Sequence, residues 1–182
     1  MIIPKYFRKM QGTTRGSPPR VSSAEIFWSW TGAFLGIAAV AWVNHYLFTG
    51  TDLSLMIGSF GATAVLVYGA VRSPLAQPRN LIGGHILSAI VGVACWKLLH
   101  PYPWLAQAMA VATSIALMHA TRTLHPPGGA TALIAVIGSP GIHKLGFWYV
   151  LMPATVGPLI LLAVALLVNN IPASRRYPEI WF

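Results

Sequence analysis

Residues 123–133 read TLHPPGGATAL, which sets an imidazole, two prolines, two glycines and a hydroxyl side by side. An imidazole ordinarily titrates near neutral pH, so a histidine such as His125 can supply a proton. Pro126 and Pro127 suit an extended approach followed by the first helical turn, where no backbone N–H is needed. Gly128 and Gly129 let backbone N–H groups come close to a ligand with no side chain in the way, and Thr131 adds a hydroxyl. A helix start exposes unpaired N–H groups and the positive end of the peptide dipole. These residues therefore suit the holding of an anion, with Arg122 and His125 close enough in sequence to supply positive charge or a proton.

The pattern occurs twice. Gly61, Ala62 and Thr63 open GATAVL (61–66), and Gly129, Ala130 and Thr131 open GATALI (129–134). Ser-Pro at 73–74 is answered at 139–140, and AIVG at 89–92 by ATVG at 154–157, with offsets between 65 and 68. Landmarks repeated in order indicate an internal duplication. The candidate binding residues are thus Gly61, Ala62, Thr63, Arg122, His125, Gly128, Gly129, Ala130 and Thr131.

What must position them is a membrane fold. The 182 residues are 55% hydrophobic and 8% charged, whereas soluble domains carry about a quarter charged residues. The net charge of +9 would suit a nucleic-acid binder, but the basic residues fall between apolar runs instead of forming one stripe. The expected partners are a lipid bilayer and a small anion, not nucleic acid. Six apolar segments stand at roughly 26–48, 53–71, 81–99, 103–121, 128–138 and 146–168. A helix needs about 20 residues to cross, so the fifth reaches only about half way. The expected fold is all-α: four full-length spans plus two GATA segments, arranged as two inverted repeats of span, broken half-helix, span (26–99 and 103–168). Helices should start near Gly61 and Gly129 at mid-membrane. Residues 1–25 read as a basic surface or disordered arm, and 170–182 as a similar tail.

Loop charge bears on the number of crossings. With six crossings, ten Lys and Arg lie on the side of the termini and only Lys97 and Lys144 on the other; with the second and fifth segments re-entrant, the split falls to eight against four. The positive-inside rule favours six crossings and cytoplasmic termini, and an odd number of crossings per half makes the repeats inverted, a plan common among secondary transporters.

Several chemistries are excluded or disfavoured. No Asp or Glu lies in an apolar span, which makes a carboxylate cation site hard to assemble, and Asp52 reads as a loop or capping residue. The six histidines lack metal-ligand spacing, so no metal or cofactor is expected. Cys95, the single cysteine, can form no disulfide within the chain. No Ser, Cys or carboxylate adjoins His125, which argues against an enzyme. His85 and His119 read as interhelical hydrogen-bonders. Three ladders of small residues, Gly32/Gly36, Gly84/Ser88/Gly92 and Ala108/Ala112/Ala116, exceed what one seam needs and point to a homo-oligomer.

Over about residues 25–170 the chain resembles the HPP family of integral membrane proteins, whose name matches His125, Pro126 and Pro127 within HPPGGATAL. Members in cyanobacteria and plastids look like nitrite transporters. The resemblance implies nitrite as substrate, a bacterial inner membrane, and four spans if the two GATA segments count as partial. The residues alone stop at a small anion, and leave open carrier, channel, and a structural or assembly protein.

Overall fold

The computed structural model describes residues 3–10, 16, 20–49 and 55–182; Asp52 lies outside them. The described residues form helices and no strand: α1 (Ile3–Met10), α2 (Ser23–Phe48), α3 (Ser59–Gly69), a 3-10 turn (Pro74–Ala76), α4 (Pro78–Leu99), α5 (Pro103–Ala120), α6 (Pro126–Ile137), α7 (Pro140–Leu145), α8 (Trp148–Leu151) and α9 (Val156–Val168). Proline opens α4, α5, α6 and α7, since a fixed φ and a missing N–H cost nothing in a first turn. Ser22 caps α2, its hydroxyl accepting from Glu25 N–H at 3.2 Å.

Among the described residues, three helical stretches are long and apolar enough to cross a membrane, Ser23–Phe48, Pro78–Leu99 and Trp148–Val168, and two shorter apolar helices are Ser59–Gly69 and Pro126–Ile137. The expected fourth span, α5, has 18 residues, or about 27 Å. The last span is interrupted between α8 and α9 at Met152–Thr155, around Pro153, which offers no N–H to continue the helix. The helix expected from Gly129 starts earlier, at Pro126, because both prolines fit its first turn. Its counterpart starts at Ser59, two residues before Gly61.

The N-terminal arm carries α1, whose described side chains Tyr6, Phe7, Lys9 and Met10 are exposed; the C-terminal tail departs from expectation. In the tail, Arg175 is 8% exposed and Tyr177 2%. Arg175 pairs with Glu25 at 2.7 Å and donates to Ser29 Oγ at 2.7 Å and to Asn169 Oδ1 at 3.1 Å. The Tyr177 hydroxyl donates to Ala76 O at 2.8 Å. Burial pushes this phenol's pKa up, so it stays a donor across the physiological range. The tail is thereby fastened across the start of α2 and the 3-10 turn.

These contacts define one end of the molecule. It collects Glu25, Arg175, the 3-10 turn and the start of α4, and also Arg72, which donates to Ser174 O, and Arg79, which donates to Thr121 O, each at 2.8 Å. The opposite end holds Trp96 with His143 stacked on it, ring centroids 3.8 Å apart, and Lys97 beside Gly146. α6 therefore leaves the end that carries Arg122 and finishes at the end that carries Lys97 and His143. α3 runs the other way. Leu55 N–H donates to Asn44 Oδ1 near the end of α2, and Arg72 just beyond α3 reaches the tail.

The packing falls into mates. α2 lies against α3 and α9 as α5 lies against α6 and α4; α3 touches α9 as α6 touches α4; α3 meets α6 and α4 meets α9. Small residues make the seams close. A Cβ on Gly32 would sit 2.6 Å from the Tyr68 ring, and one on Gly92 would sit 2.5 Å from Ala132 O. The Tyr68 hydroxyl donates across to Leu161 O at 2.8 Å, tying α2, α3 and α9 together. The third ladder is different: Ala108, Ala112 and Ala116 are exposed.

Candidate functional site

The first turns of α3 and α6 lie side by side and antiparallel, so that Ser59 faces Thr131 while Thr63 faces the residues just before Thr131's own turn. Thr131 Oγ1 is 2.9 Å from Ser59 Oγ, and Thr63 Oγ1 is 3.3 Å from His125 Nε2. Between them stands His85 of α4. Its Nε2 is 2.8 Å from Thr63 Oγ1 and its Nδ1 is 2.7 Å from Thr131 Oγ1. The two threonines that the repeat makes equivalent thus meet on one imidazole. Ser59, Thr63, His85, His125 and Thr131 all have zero exposure; the site is closed to both ends.

Each member is held by backbone as well. His125 Nδ1 lies 2.8 Å from Leu75 O of the 3-10 turn. A carbonyl only accepts, so Nδ1 carries hydrogen and Nε2 is the atom presented to Thr63. Thr63 Oγ1 also lies 3.0 Å from Ser59 O and Thr131 Oγ1 3.3 Å from Pro127 O, the back-bonding expected of threonine in a helix. Tyr149 of α8 donates to Thr131 O at 3.0 Å, and Phe60 meets His85 edge-on with centroids 5.8 Å apart.

The other sequence candidates fall on different sides of the two helices. Gly128 is buried against α4: an added Cβ would lie 2.8 Å from Gly84 O and from Ser88 Oγ. Its N–H donates to His125 O at 2.8 Å. Gly129 turns toward α5, where a Cβ would meet only Val111 at 3.9 Å. With Ala130 it lines an apolar groove of about 550 Å³, and Ala62 and Ala130 line another of about 290 Å³. Gly61 and Ala62 are exposed. The N–H of Gly61 donates to Gly58 O at 3.2 Å. Arg122 is exposed and takes φ 57°, turning the chain from α5 toward α6. It joins Arg79, Asn80, Gln77 and Trp181 around a cavity of about 310 Å³ at the basic end. Asn80 beside it donates to Leu124 O at 2.8 Å, next to His125. His119 is exposed and outside the cluster.

His85 and Ser59 complete the site and were not among the sequence candidates. Ser59 had a readable signal, since it stands four residues before Thr63 and so shares its helix face. His85 had no such signal beyond being a polar residue in a span. Ser114 Oγ of α5 is the one buried side-chain oxygen or nitrogen without a partner among the described residues, and those residues hold no cluster of metal-ligating side chains.

Residues 18–178 match the family described as "HPP, transmembrane region". Two curated transmembrane proteins of Dictyostelium discoideum are similar to the chain. One is 42% identical over 181 residues, covering 98% of this chain and 58% of its own; another is 44% identical over 186 residues, covering 100% and 65%. The chain therefore spans less than two thirds of the length of these relatives. No solved structure matches it.

Proposed function

The chain belongs to the HPP transmembrane family, and from that premise we propose that it is a carrier, not an enzyme, that moves a small inorganic anion through the site between α3 and α6. The observation that carries this reading is the meeting of Thr63 and Thr131 on His85 at 2.8 and 2.7 Å. Two helix starts bring their positive dipole ends together there, hydroxyl and imidazole donors face one another, and among the described residues no carboxylate joins them. Arg79 and Arg122 at the basic-end cavity favour the approach of an anion from that side. Nitrite is the anion the family resemblance favours, and the cyanobacterial members suggest a bacterial inner membrane. Complete burial of the cluster suits an occluded carrier better than an open channel. Paired helix contacts and the antiparallel course of α3 and α6 support inverted repeats.

Uptake by purified protein in liposomes tests the reading. Labelled nitrite should enter saturably, faster when the vesicles are preloaded with unlabelled nitrite, while labelled sodium should not. Nitrite entry no faster than in protein-free vesicles would refute it. The exposed third ladder and the grooves beside α6 are expected to be covered by a second copy, so protein extracted with its lipid from the same vesicles should have the mass of more than one chain.

The charge distribution supports a cytoplasmic position for both termini. In a Cys95→Ser background, Lys144→Cys should react with an impermeant thiol reagent from outside intact cells, and Arg176→Cys only after the cytoplasmic face is opened. Labelling of both from one side would overturn the six-crossing arrangement.

A further inference from the structure

We infer that the buried cluster carries one proton with each anion, passed between His125 and His85 through the Thr63 hydroxyl; this rests on the transport reading above. Thr63 Oγ1 has one hydrogen and stands between two ring nitrogens, His125 Nε2 at 3.3 Å and His85 Nε2 at 2.8 Å. When His125 holds the proton, it has hydrogen on both nitrogens. Nδ1–H then donates to Leu75 O, Nε2–H donates to Thr63, and Thr63 donates to His85 Nε2, while His85 keeps its hydrogen on Nδ1 toward Thr131.

In the transfer, the His125 Nε2–H bond breaks as a new Thr63 O–H bond forms, and the former Thr63 O–H bond breaks as a His85 Nε2–H bond forms. The positive charge moves to His85, which then donates from Nε2 to Thr63 and from Nδ1 to Thr131. Thr63 now donates back to His125. The hydrogen bonds linking the two imidazoles through Thr63 are present in both states, with the hydroxyl hydrogen turned from Ser59 O to a ring nitrogen; total charge is unchanged, and each hydrogen moves across one contact. The proton enters from water and returns to water when the site opens to either side.

Among the described residues, the surroundings leave this charge to the histidines. Facing them are Ser59, Phe60 and Thr63 from α3, Thr131 from α6 and the Leu75 carbonyl. Tyr149 reaches Thr131 O from α8, Met118 of α5 lies against Gly84 and Gly128 beside the site, and Gly157 of α9 backs Phe60. Only the histidines and Tyr149 among these groups titrate, and none is a carboxylate, lysine or arginine. The two rings lie 5.1 Å apart, so two protons at once would place like charges together in a site shielded from water. One imidazolium beside one monovalent anion is neutral as a pair, which lowers the cost of taking either across. The coupling is therefore one to one and electroneutral.

The test uses wild-type protein in vesicles loaded with a pH-sensitive dye, with labelled nitrite outside and the membrane potential clamped by potassium and valinomycin. Initial rates are taken over the first seconds and corrected with protein-free vesicles, because nitrous acid crosses lipid unaided. The expected result is one proton entering per nitrite, with a rate that changes less than about twofold between clamped potentials of opposite sign. His85→Gln and His125→Gln should uncouple the flux: any nitrite uptake that remains no longer acidifies the lumen and responds to potential. Nitrite uptake by the wild type without lumen acidification would overturn the relay and leave the transport reading standing. Absence of protein-dependent uptake would overturn both.

Discussion

Gly128→Val is expected to leave no monodisperse protein in mild detergent and no uptake, while the neighbouring Gly129→Val folds and transports. The contrast follows from which way each Cα–H points. At Gly128 the first added carbon would stand 2.8 Å from the Gly84 carbonyl, 2.8 Å from Ser88 Oγ and 3.1 Å from Met118 Sδ. A backbone carbonyl in the middle of α4 cannot give way, so α4 and α6 would have to part, at a cost of about 3 kcal/mol or more. The same movement would draw His125 from Thr63 and Thr131 from His85. At Gly129 the added carbon meets Val111 at 3.9 Å, an ordinary contact. Size-exclusion profiles and initial uptake rates of the two variants check this. A folded Gly129→Val protein without uptake would mean that the anion passes on the α5 side of α6, not between α3 and α6.

How far the sequence revealed the site depended on whether a residue's role was local. The duplicated Gly-Ala-Thr made Thr63 and Thr131 legible as equivalents, because both helices use the same offset from the same motif. It could not separate the faces of those helices: at about 100° per residue, Gly61 and Ala62 turn outward while Thr63 two residues on turns in. The two prolines gave α6 its start, but their fit to the first turn moved that start from Gly129 to Pro126. His85 and His125 were harder to pair. The Thr offset of 68 carries His125 back to Ile57, so the repeat offers no counterpart, and only the packing of α4 along α6 brings the two rings together. Membrane segments were plain from hydropathy. Burial of Arg175 and Tyr177 was not, because their partners Glu25 and Ala76 lie about 100 or more positions away and local composition there resembles a solvated tail.

Protection of a cysteine at position 63 tests whether the transported anion occupies the space between the first turns of α3 and α6. Cys95 is the chain's one cysteine, so Thr63→Cys in a Cys95→Ser background carries a single thiol. That thiol replaces the hydroxyl 2.8 Å from His85 and keeps a hydrogen-bonding group there. Side chain 63 has zero exposure in the closed structure, so a small methanethiosulfonate can reach it only while the site is open during turnover. Bound anion would occupy the same opening. The thiol should react in vesicles, and saturating nitrite should slow the reaction about tenfold or more, while sodium has no effect. A reaction rate unchanged by nitrite, in protein that still takes up nitrite, would contradict it.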